Sequence, residues 1–142
     1  MNKEFQNCLD DGKLKPFKAT DKMIRKELDA AAYDLERARQ SLKAGDAKWA
    51  TIQGYYAMFH CARALIFRKG YREKSHRCLL IALQELLVNK REMPSKHLDN
   101  LRTAMDLRED ADYGYIYAKE SAQDILDNAT SFYNFALKFL NV

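Results

Sequence analysis

The sequence predicts an all-α protein, an antiparallel bundle of about five to six helices. Three observations predict it. Only two prolines and five glycines interrupt 142 residues. Apolar residues recur at i, i+3, i+4 and i+7 over four long stretches. No stretch alternates with period two for long enough to read as a strand. We expect residues 1–142 to form one domain, since a chain of this length builds a single core.

The elements follow in order. Residues 3–10 form a short helix, closed by Asp11-Gly12. Leu14 to Ala19 is a connector broken by Pro16. Thr20 or Asp21 caps a helix that runs to about Lys43 through Ile24, Leu28, Ala31, Leu35, Ala38 and Leu42. Gly45 suits the left-handed position that closes a helix, and Asp46 caps the next almost at once, so the two are antiparallel neighbours.

That next stretch, Trp49 to Gly70, is the centre of the chain. Ile52, Tyr55, Met58, Phe59, Ala62, Leu65 and Ile66 make a broad apolar face. Gln53, Tyr56, His60 and Arg63 make a second, polar stripe at i, i+3, i+4 spacing, flanked by the small residues Gly54, Ala57 and Ala64. A helix apolar over most of its circumference is buried or lies in an interface. Arg68 and Lys69 complement its C-terminal end. Tyr71 to Lys74 is a loop, and Ser75 caps a helix from His76 to about Asn89. Pro94 opens a helix that reaches about Leu107. Arg108 to Tyr117 is a tyrosine-rich junction broken by Gly114, and the last helix spans about Ala118 to Leu140.

Composition narrows the function. Hydrophobic residues make up 47% and charged residues 31%, which excludes disorder. No apolar run approaches membrane-spanning length, and the N-terminus lacks the apolar segment of a signal peptide, so we expect a cytoplasmic protein without a membrane partner. The net charge of +4 permits an anionic partner without requiring one. Cys8, Cys61 and Cys78 are too widely spaced for a disulfide framework or a zinc site, so we expect three thiols, with Cys61 buried. There is no phosphate-binding glycine loop, no paired-histidine metal motif and no nucleophile elbow. No cofactor is expected.

Three groups carry candidate chemistry. Tyr56, His60 and Arg63 share one helix face, where a histidine can move a proton and an arginine can hold a phosphate. From spacing alone, the same stripe reads first as a satisfied buried network at a helix or subunit interface. Lys74, His76 and Arg77 lie at a helix start, where backbone N–H groups already favour anions. In the junction, Arg108 and Asp112 are four residues apart, and Tyr113 follows as a stacking surface. We expect Tyr56, His60, Arg63, Lys74, His76, Arg108, Asp112 and Tyr113 to line one polar cleft.

Tyr-Tyr-Ala-Met-Phe-His within residues 55–70, Lys-Ser-His at 74–76 and Leu-Arg-Glu-Asp-Ala-Asp-Tyr-Gly-Tyr at 107–115 resemble, in this order, the HEPN family (higher eukaryotes and prokaryotes nucleotide-binding). The closest likeness is to its small stand-alone prokaryotic members. The resemblance implies a helical bundle that dimerises through central helices, a nucleotide or RNA ligand, and a minimal nucleotidyltransferase partner in a toxin–antitoxin-like system. Family RNases carry an Arg, then four to six residues, then a His, and cleave without metal. The resemblance therefore implies, as the alternative, an RNase using His60, His76 and Arg108. Here Arg108 is followed by Asp112-Tyr113 with no His, Arg72 and His76 are one residue too close, and Pro94 separates Arg91 from His97. A purely structural interaction module is the third reading.

Overall fold

Helix α1 (Lys3–Asp10) starts where the Asn2 side chain accepts the backbone N–H groups of Glu4 and Phe5. The computed structural model describes residues 2–112 and 119–142, with the side chains of residues 110–112 excepted. Strand β1 (Leu14–Pro16) follows, then α2 (Asp21–Lys43), capped by Thr20. Gly45, at φ 81°, turns the chain, and Asp46 caps α3 (Ala47–Arg68) through the N–H of Trp49. Gly70, at φ 88°, turns it again into β2 (Tyr71–Glu73). Ser75 caps α4 (His76–Leu83), which runs into a π-helical turn at Gln84–Val88. Helices α5 (Ser95–Asp112) and α6 (Lys119–Leu140) complete the described chain. The all-α bundle is as expected, with six α-helices among the described residues.

The core is one cluster built around α3, which packs against α2, α6 and α5. Its buried residues occupy most of its circumference, from Ala50 to Ile66. The small residues expected to flank a subunit interface are spent inside the chain. Gly54, Ala57 and Ala64 are buried, and a Cβ on Gly54 would lie 2.8 Å from Cγ2 of Ile125 on α6. Gly54 thus sets how closely α3 and α6 approach.

Three local expectations need correcting. The connector at Leu14 and the loop at Tyr71 pair as an antiparallel ribbon, with Leu14 opposite Glu73, Lys15 opposite Arg72 and Pro16 opposite Tyr71. Three residues are too few to display a period of two. Helix α5 does not stop at Leu107 but continues through Arg108 to Asp112, because no breaker precedes Gly114. The third correction concerns the cysteines. Cys8 and Cys78 are disulfide-bonded, with Cα atoms 5.9 Å apart. Residues 70 apart in sequence meet because Phe5 and Cys8, the buried face of α1, are laid against α4. Only Cys61 is the expected buried thiol, and burial pushes its pKa well above the usual range.

Candidate functional site

Helices α3, α4 and α5 bring three of the candidate residues together. Tyr56 lies half-buried on α3, and the Arg108 guanidinium, reaching over from α5, donates to its hydroxyl at 2.9 Å. The same guanidinium lies over the rings of Tyr55 and Tyr56, at 5.7 and 5.5 Å from their centroids. His76, the first residue of α4, places Nδ1 2.8 Å from the Tyr55 hydroxyl. Its ring lies 4.8 Å from that of Phe59.

The protonation states follow from these surroundings. Burial holds the Tyr55 phenol far above its ordinary pKa, so it stays neutral and has a proton to donate. Burial lowers the His76 pKa, and Arg108 and Arg63 push the same way against the carboxylates of Glu73 and Glu109. His76 is therefore a neutral imidazole at pH 7. When the phenol donates to Nδ1, the ring hydrogen sits on Nε2. The cluster then holds an arginine, a neutral imidazole N–H and the half-buried Tyr56 ring together, with the Tyr55 ring buried beneath them, a set that suits a phosphate beside a stacked base.

His60 and Arg63 belong to an adjoining network instead. Nδ1 of His60 is 2.7 Å from Glu27 and Nε2 is 3.5 Å from Asp34, both carboxylates coming from α2. Arg63 makes two bonds to Glu73, at 3.1 and 2.7 Å, and lies 3.7 Å from Glu27. Burial raises the Asp34 pKa, and His60 draws it back down. The hydrogen bond to Glu73 raises that of Arg63. For these two residues the reading as a satisfied network describes the geometry. Phe59 joins the two groups, because Arg63 lies 4.7 Å above its ring while His76 contacts the ring as well.

The remaining candidates lie elsewhere. Lys74 is exposed on the ribbon beside Lys15, which holds its pKa below the ordinary lysine range. Asp112 lies one helical turn beyond Arg108, but its side chain is outside the described residues, as is Tyr113. The formally spaced Arg91 and His97 make no site: His97 is buried and stacks on Phe132 at 5.2 Å. A groove of about 520 Å³ between α2 and α6 is lined by Arg39, Lys43, Lys119 and Leu126 among others, none of them a predicted site residue. At the α3–α4–α5 cluster, unlike in this groove, a charged group and aromatic rings are held in contact. Among the described residues no cluster of His, Cys, Asp and Glu is placed to hold a metal ion.

The sequence reading missed five participants. Tyr55 falls by spacing on the apolar face, yet a tyrosine there also carries a hydroxyl that needs a partner. Glu73 reads in sequence as loop, and Phe59 as core alone. Glu27 and Asp34 lie on a face of α2 that reads as solvated, yet both are partly buried.

The HEPN domain model matches residues 24–140, a span that contains every described residue of the cluster. The chain belongs to the HEPN family. A UPF0332 protein of Archaeoglobus fulgidus is similar to this HEPN protein, with 36% identity over 90 residues covering 61% of this chain and 70% of that protein. A protein of Methanocaldococcus jannaschii that bears the name "Putative toxin MJ0142" is 27% identical over 115 residues, covering 75% of this chain and 78% of its own. No helix among the described residues is long and apolar enough to cross a membrane.

Proposed function

We propose that this HEPN domain binds a nucleotide or RNA at the Tyr56–His76–Arg108 cluster, as the cytoplasmic member of a toxin–antitoxin-like pair with a minimal nucleotidyltransferase. The whole chain acts as one domain in this reading, and as a homodimer. The observation that carries it is the placing of Arg108, which bonds the Tyr56 hydroxyl while lying over two tyrosine rings. A guanidinium so held is ordered before a phosphate arrives, so contact with one costs little further side-chain entropy. The toxin name of the archaeal relative supports the biological setting. The cysteines no longer argue for a reducing compartment, so the cytoplasmic location rests on the nucleic-acid ligand and its partner.

The alternative, metal-independent RNA cleavage, needs one group to take the 2′-hydroxyl proton and another to protonate the leaving oxygen. His76 with its hydrogen on Nε2 serves as a donor. The second histidine would be His60, whose two ring nitrogens already face carboxylates. Binding is therefore the reading the geometry favours.

Fluorescence anisotropy with a labelled mononucleotide and a labelled RNA tests it. Arg108→Ala should weaken both at least about tenfold, since a charge-assisted contact contributes about 1.5–3 kcal/mol. The loss should shrink as salt rises, because salt already weakens the phosphate contact in the parent protein. Unchanged binding would sink the reading. Cleavage that disappears in both His76→Ala and His60→Ala would favour the alternative.

A further inference from the structure

The ribbon formed by β1 and β2 has two unlike faces. Leu14 and Glu73 are register partners and both are buried, with Glu73 turned inward onto Arg63. Lys15 and Arg72, the next partners, are both exposed on the other face. Lys74 lies two residues beyond Arg72, which in a strand returns it to the same face, and its ammonium group neighbours that of Lys15. Like charges set directly opposite each other across two strands destabilise the pairing. Arg63, Lys69 and Arg77 each pair with a carboxylate, whereas Lys15, Arg72 and Lys74 face one another and make no ion pair with the described residues. The one carboxylate within the ribbon, Glu73, faces away from them. A single lysine is enough to protect a strand edge from pairing with other chains. Three facing cations exceed that need.

We propose that the outward face of this ribbon, Lys15, Arg72 and Lys74, is a docking site for the phosphodiester backbone of a single-stranded nucleic acid. Its geometry suits a strand better than a lone phosphate. Residues two apart in a β-strand are separated by about 6.6 Å, so Arg72 and Lys74 meet successive anionic groups of an extended polymer. An aromatic surface accompanies the charge. The Arg72 guanidinium lies 5.3 Å from the centroid of the Phe17 ring, which in turn packs against Phe67 at 5.2 Å. A base would stack on the Arg72 guanidinium, which the Phe17 ring backs. Cations that track a backbone beside such a stacking platform are what sequence-independent single-strand binding requires. An acidic peptide would use the charges and leave the ring without a role.

The ribbon also leads into the cluster already described. Lys74 is followed by Ser75, the cap of α4, and then by His76. A strand lying along β2 therefore runs toward the imidazole and Arg108. This deepens the proposed function, and the delivery of the strand to the cluster rests on that reading. Docking on the ribbon does not depend on it.

The test uses the full chain and the double variant Lys15→Gln/Arg72→Gln. Both residues are exposed, and the relief of repulsion offsets the loss of the Arg72–Phe17 contact, so the variant should melt close to the parent. Anisotropy is read with single-stranded RNA and DNA of about ten nucleotides, with a mononucleotide, and with a poly-glutamate peptide. The variant should lose at least tenfold in oligonucleotide affinity. The slope of log K against log salt should become shallower by about 1.4, from two phosphate contacts on a single strand. Mononucleotide binding should not change, whereas Arg108→Ala should reduce it, so failure at the ribbon and failure at the cluster are told apart. Equal losses for RNA and DNA mean backbone docking alone. A larger loss for RNA means that the 2′-hydroxyl is read there too. A parent protein that binds no oligonucleotide, a variant that binds as well as the parent, or an equal loss for poly-glutamate would overturn the proposal.

Discussion

His97 shows how one buried side chain can make the fold sensitive to pH. It is 3% exposed, stacks between Phe132 and Phe135, and its Nδ1 has no hydrogen-bond partner among the described residues. Burial lowers its pKa from 6.5, and Lys96 adds to the effect. The native state therefore holds it neutral, while the unfolded chain takes up a proton below its ordinary pKa. The unfolded state then binds more protons, so stability rises with pH. The contribution is complete above about pH 6.5 and is lost as pH falls toward the lower folded value. His76, lowered likewise by burial, acts in the same sense. Asp34, raised by burial, acts in the opposite one. The urea midpoint of the parent protein should fall between about pH 7 and pH 5. In His97→Leu, which keeps an apolar group between the two rings, the fall should be visibly smaller. Identical pH profiles would show that His97 already has a partner for its proton.

At the scale of elements, the Cys8–Cys78 disulfide ties α1 to α4 across 70 residues of chain. Apart from Phe5 and Cys8, helix α1 buries little, so the covalent link is a main restraint on it. Closing a loop of this length restricts the unfolded chain and is worth about 2–4 kcal/mol. Cys8→Ala/Cys78→Ala should lower the unfolding free energy by that amount. Thiol titration of denatured, unreduced parent protein should find one thiol, Cys61, and finding three would refute the link. The four long helices were legible in the sequence because their apolar spacing is local, as were the Thr20, Asp46 and Ser75 caps. The ribbon and the disulfide were not. Leu14 and Glu73 are far apart in sequence, and only the tertiary fold of α1 and α4 brings Cys8 to Cys78. The end of α5 was set too early, because polar residues after Leu107 resemble a junction until Gly114 is taken as the first true breaker.

For the whole molecule the sequence named the polar residues of α3, α4 and α5 without sorting them into groups. Tyr56, His76 and Arg108 do meet, but His60 and Arg63 turn to the carboxylates of Glu27, Asp34 and Glu73. Nothing local to α3 distinguishes the two outcomes, since the deciding partners come from α2 and β2. The expected dimer loses one of its supports in the same way, because Gly54, Ala57 and Ala64 are used against neighbouring helices. A different surface takes their place in the argument. On α2, Met23 is 42% and Tyr33 64% exposed. At about 100° per residue they share one side of the helix with Ala30. Asp34, next to Tyr33, reaches His60 on α3. A second copy laid on this side would cover both large apolar groups and partly desolvate the ion network, strengthening its pairs. Light scattering at micromolar concentration should therefore give twice the chain mass of 16.5 kDa. Tyr33→Glu, which sets a charge where two copies would meet, should return the monomer mass without lowering the melting temperature, because Tyr33 packs against little within its own chain. A parent protein that scatters as a monomer would remove the dimer. A Tyr33→Glu variant that still scatters as a dimer would move the interface off α2.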